Sequence, residues 1–149
     1  MPVPPGPSWS DRVRVVGYSD LDGRPGFKLA VQEVAGRFYL YLGHLWHRGW
    51  SIVDVTDPAA PRLLRFIDGP ANTWTIQVQV AEGRMVTALE RIGSGWGDDP
   101  RAAFETGVLI WDVRDPENPV RLGHWTTGGT GTHHLPTSRG RDGSAMSTI

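Results

Sequence analysis

From about Arg12 to Trp125 the chain is a succession of short runs in which apolar and polar positions alternate, each closed by Gly, Pro or Asp. Alternation with period two sends successive side chains to opposite faces of an extended backbone, so these runs predict strands and not helices. They cover residues 13–18, 27–34, 37–45, 50–55 and 62–67, and then 74–80, 84–91, 108–113 and 120–125. Ala35-Gly36 and Glu82-Gly83 predict tight turns between the strands that flank them.

The stretch GWSIVDVTDPAAPRLL at 49–64 returns 58 residues later as GVLIWDVRDPENPVRL at 107–122, with eight of sixteen positions identical, including the skeleton G-x-x-I-x-D-V-x-D-P-x-x-P. Each copy reads as a strand of β-branched and aromatic residues that ends in an Asp-Pro turn, with a second Pro that bars helix. With their neighbours the copies predict two four-stranded meanders, and the second is lengthened by the polar, Gly-rich insertion IGSGWGDDPRAAFET at 92–106. Repeat folds gather such excess length on one rim, where ligands are usually met. A twisted four-stranded meander does not bury both faces alone, and the closed solution for such units is a propeller of about 4 to 8 blades. The expected fold is therefore all-β: two β-propeller-type blades and the start of a third at GGTGTHH, beyond which alternation stops. Residues 1–11 are expected to be a flexible Pro-rich arm, 12–134 the blades, and 135–149 an aberrant or disordered tail, the mark of a truncated propeller. Limited proteolysis is expected to cut first after Arg139 or Arg141.

SIVDVTDPAAP and LIWDVRDPENP, with the flanking words YLGHLWHRGW, NTWTIQVQV and TGGTGTH, resemble the signatures of the LVIVD-repeat β-propeller proteins over roughly residues 12–133. The resemblance implies the propeller fold. It implies no reaction, and where that family continues with an aromatic strand and a G-G-R-Y-type hairpin this chain has HLPTSRGRDGSAMSTI.

Composition narrows the classes further. With 39% hydrophobic and 21% charged residues the chain is a globular protein, and 19 Gly and 12 Pro suit short strands and turns. A formal net charge of −1 supplies no basic field for nucleic acid. The absence of Cys removes disulfides and thiolate chemistry, and no apolar run is long enough for a signal peptide or a membrane span, so a cytoplasmic location is expected.

Candidate chemistry follows from repeat equivalence. Aligning the two hairpins at a separation of 47 residues sets His44 opposite Arg91, next to Glu90, while the 58-residue shift sets Thr75 opposite His133. Around a propeller axis His44, Glu90 and His133 would converge at the central channel as a ligand or metal site, imidazole plus carboxylate being a usual donor set for transition metals. The plainer alternative is polar residues lining a wet channel. His44 and His47, three apart, point to opposite faces of a strand and do not share an ion. Asp54, Asp57 and Pro58, with Asp112, Asp115 and Pro116, read as structural turn residues; two carboxylates per turn are too few oxygens for calcium. Trp96, in the insertion, either caps a pocket or meets a partner, or is folded back onto its blade; the other tryptophans in or near strands are expected to pack between blades. The reading that results is a protein-interaction or scaffold domain, with a protein partner or self-association through an unclosed blade edge, without nucleic acid or membrane. The alternative is part of a metal-dependent enzyme or small-ligand-binding propeller; the sequence names no cofactor.

Overall fold

A computed structural model describes residues 14–133 and Leu135. The arm expected at 1–11 lies outside the described residues, as does the tail apart from Leu135. Among the described residues two antiparallel sheets hold all the strands. The first is a meander, β1 (Gly26–Val34), β2 (Arg37–His44), β3 (Gly49–Asp54) and β4 (Arg62–Asp68), paired in chain order. In the second, β5 (Thr73–Trp74) and β6 (Val78–Ala81) both pair with β7 (Arg84–Arg91), which is followed by β8 (Gly107–Asp112) and β9 (Val120–Trp125). The fold is all-β apart from one 3-10 turn at Leu21–Gly23 among the described residues.

The sheets stack face to face. Tyr39, Tyr41, Trp50 and Ile52 of the first meet Val78, Met85, Leu89, Leu109 and Trp111 of the second in one core, which Val113 extends. Trp50 and Trp111 meet edge to face at 5.8 Å, and the Trp111 indole N–H donates to Thr87 Oγ1 at 3.1 Å. The opposite face of the first sheet carries a smaller cluster of Leu42 and Val53 beneath Leu21.

The repeat skeleton has a physical reason at each end. Gly49 and Gly107 both take positive φ (143° and 93°), and a Cβ there would lie 2.3 Å from the carbonyl oxygen of Ile67 and 1.9 Å from that of Trp125, the equivalent carbonyls of the fourth strands. At the other end the Asp54 carboxylate accepts from the Thr56 amide at 3.0 Å and hydroxyl at 2.6 Å and pairs closely with Arg37. Asp112 accepts from the Arg114 amide at 3.0 Å and pairs with Arg114 and Arg84. Asp57 and Asp115 bond backbone amides two residues on, at 2.9 and 3.0 Å, which closes the turns ahead of the second Pro.

Three expectations are corrected. Residues 14–18 form no strand: Gly17 lies against the Pro58–Ala59 turn that joins β3 to β4. The strand expected at 74–80 is broken between Trp74 and Val78, because Thr75 leaves the ladder of β7 to bridge to His44. Its hydroxyl lies 3.0 Å from the His44 carbonyl and 3.1 Å from that of Gly49, and accepts the Gly49 amide at 2.7 Å, so it fills the splayed ends of β2 and β3. Gly43 admits this intrusion, since a Cβ there would be 2.6 Å from the Thr75 carbonyl oxygen. Finally, Gly43 pairs with Trp50 and Ala88 with Val108, so β2 and β7 correspond at a separation of 45 residues although their turns correspond at 47. The first hairpin overhangs by two residues; the Val55 amide still donates to the Phe38 carbonyl as that of Val113 donates to the Gly83 carbonyl, and the Phe38 amide also donates to Thr56 Oγ1.

Candidate functional site

His44 is fully buried and both its ring nitrogens are engaged. Nδ1 lies 3.0 Å from the Pro25 carbonyl oxygen, which fixes the proton on that nitrogen and leaves Nε2 to accept from Ser51 Oγ at 2.8 Å. Burial, the largest influence, lowers its pKa and keeps it neutral. By ladder position it corresponds to Leu89 rather than to Arg91. His44 therefore braces the entry of β1 against β3 and offers no free donor atom to a ligand.

Glu90 and His133 do meet. The bridge between Glu90 and Gly131 carries the chain after β9 back across the end of β7, and His133 Nδ1 comes within 2.5 Å of Glu90 Oε2. Glu90 is largely enclosed and His133 largely exposed, so the carboxylate holds one edge of an imidazole that is otherwise open to solvent. Among the described residues no three His, Asp or Glu side chains gather closely enough to hold a metal ion.

The more fully built site lies on the rim where two equivalent loops meet, residues 45–48 between β2 and β3 and residues 92–106 between β7 and β8. Trp96 of the insertion stacks on Trp46, centroids 5.5 Å apart and planes 14° apart, and meets Trp74 edge-on at 6.1 Å. Trp46 is 57% and Trp96 52% exposed, so the pair forms a shelf open to solvent. Trp46 thus sits on the rim, where its contact with Trp96 links a loop of the first sheet to a loop of the second. Trp96 packs against Trp46 and Trp74 and also borders a cleft of about 480 Å³ lined by Arg48, Asn72 and Asp99.

The insertion is held by a side chain that gave no sequence signal. Asn72, buried and at φ 52°, donates to the carbonyls of Asp99 at 3.0 Å and Ala102 at 3.1 Å and accepts the Asp99 amide at 3.0 Å. Thr73 Oγ1 accepts the Glu105 amide at 3.0 Å, and Asp98 accepts the Gly95 amide at 3.1 Å. On the far side His124 Nε2 donates to the Thr106 carbonyl at 2.9 Å, which makes His124 a strut of the same loop.

Compared with known proteins, the chain matches no family model and no curated sequence. No helix among the described residues is long and apolar enough to cross a membrane.

Proposed function

We propose that the two sheets are consecutive blades of an LVIVD-type β-propeller and that the domain acts as an interaction scaffold rather than as an enzyme. The observation that carries this reading is the translational stacking of two sheets with the same sequence skeleton: the face of the first sheet that holds Ile52 is covered by the second sheet, and the equivalent face of the second presents Ile110, Val120 and Trp125 to solvent. A surface built to receive a sheet is a surface for association. The edge strand β1 adds exposed Phe27, Leu29 and Val31, which favours pairing with a protein partner or a second copy. Light scattering on the purified chain, compared with an Ile110→Lys, Trp125→Lys variant, tests the self-association form of the reading. Concentration-dependent assembly that the variant abolishes supports it, and a monomer at all concentrations that retains no partner refutes it.

A second reading, a small ligand or metal held at the channel mouth, draws its support from the Glu90–His133 pair alone. Zinc titration of the wild type against His133→Gln decides it, since a stoichiometric site lost in the variant is required.

A further inference from the structure

The rim cleft carries an inference that goes beyond the scaffold reading and does not depend on it. Two indoles exposed over half their area, outside the core and stacked one on the other, leave in water an apolar shelf made of the ring surface that the stack does not cover, and such a shelf is a feature the fold alone does not need. The shelf is also preorganised. Asn72, Thr73 and Asp98 fix the insertion by five hydrogen bonds to its backbone, and Trp74 abuts the edge of Trp96, so a ligand meets a surface already in place.

The polar groups beside the shelf select the ligand. Arg48 and Asp99 both line the cleft, both are exposed, and neither forms an ion pair among the described residues. One cation and one anion at the same cleft give no net field, which disfavours polyanions and polycations alike. Together they offer strong donors and strong acceptors to a neutral ligand whose groups can do both. A flat apolar face joined to an edge of hydroxyls describes a pyranose ring: its C–H face lies on an indole and its hydroxyls bond a guanidinium and a carboxylate. A proline-rich peptide uses the shelf equally well, but most of its backbone lacks the N–H that Asp99 would accept, whereas each hydroxyl of a saccharide both donates and accepts. A cleft of about 480 Å³ falls in the range of small-ligand sites. We propose that the cleft between residues 45–48 and 92–106 binds a neutral saccharide, with Trp46 and Trp96 as the stacking platform and Arg48 and Asp99 as the hydroxyl-binding pair.

The test is isothermal titration with cellotetraose, maltotetraose, mannotetraose and chitotetraose, and in parallel with a proline-rich and an acidic peptide, while tryptophan emission is followed. At least one saccharide binds with Kd at or below about 1 mM and shifts the emission to the blue. Trp46→Ala and Trp96→Ala each weaken that binding about tenfold or more, Trp46→Phe restores most of it, and Arg48→Gln and Asp99→Asn each cost about threefold to tenfold. Because Trp46 lies outside the insertion, its variant keeps the test sound where Trp96→Ala disturbs the loop, and unchanged circular dichroism verifies the fold. No binding by any of the four saccharides, saccharide binding indifferent to Trp46→Ala, or binding of a peptide alone overturns the proposal.

Discussion

Residues 52 and 110 are both isoleucine, stand at the same place in the two copies of the repeat, and sit on the same face of equivalent strands. Ile52 is wholly buried and Ile110 is 36% exposed. The local sequence sets the strand and the direction of its side chains, but the burial of a face is decided by what stacks on it. Conversely, features that act within one sheet, the glycine entry and the Asp-closed turn, recur in both copies regardless of what lies outside. The difference between the sheets thus separates what the repeat encodes from what the stack adds.

The equivalence breaks first, if at all, at the glycines. Gly49→Ala and Gly107→Ala each drive a Cβ into a carbonyl oxygen at positive φ, and each is expected to cost about 3 kcal/mol in urea unfolding. If Gly107→Ala falls within about 0.5 kcal/mol of wild type, the second copy does not share the constraint of the first. The stack is probed by Ile52→Ala against Ile110→Ala: about 2 to 3 kcal/mol for the first and below about 1 for the second, measured in the same way. Equal costs would mean that the outer face of the second sheet is covered in solution.

Acid sharpens the comparison. Asp54, held down first by the Thr56 hydroxyl and amide and then by Arg37, and Asp112, held down first by Arg114, both titrate at about 2. Their folded values lie below the ordinary carboxylate value of about 3.9, so the stability they contribute is present above about pH 4 and is lost as pH falls toward 2. Asp54→Asn and Asp112→Asn should each flatten that part of the acid limb. His44 acts in a separate window: its folded pKa is lowered, so its contribution is complete above about pH 6.5 and declines below as the unfolded chain takes up the proton. His44→Gln should remove that slope and leave the carboxylate limb intact.

The smallest expected effect separates the variable residue of D-V-x-D-P in the two copies. Thr56→Ala removes a hydroxyl from a largely enclosed carboxylate and should cost about 1 kcal/mol, whereas Arg114, largely exposed, should change stability by less than about 0.5 kcal/mol when replaced by Ala.

What could be read beforehand was local. β1, β2, β7 and β9 followed their alternation to within a residue or so, because hairpin turns and period two are properties of adjacent residues. The break at Thr75 was not legible: its hydroxyl serves carbonyls 31 and 26 positions away, and nothing in TWTIQVQ marks a departure from the ladder. The two-residue overhang of the first hairpin misled in the same manner, since equal turns suggested equal register and sent His44 to the wrong counterpart. On the rim, the composition of the insertion marked Trp96 as unusual, but its stacking partner lies in a loop 50 residues earlier and Asn72, the residue that fixes the loop, resembles any polar residue beside a turn.

The Thr75 hydroxyl has a consequence for how the molecule comes apart. It closes the end of the first sheet with an atom that belongs to the strand path of the second, and the chain after β9 repeats the device when the Arg91 amide donates to the Thr130 carbonyl at 2.8 Å and the Thr132 amide to the Leu89 carbonyl at 2.9 Å. Each sheet is thus latched by the chain that follows it. In native-state hydrogen exchange the Gly49 amide should keep the rhythm of β7 and not that of the first sheet, so the molecule opens from its later unit toward its earlier one, as a zip fastened at one end only.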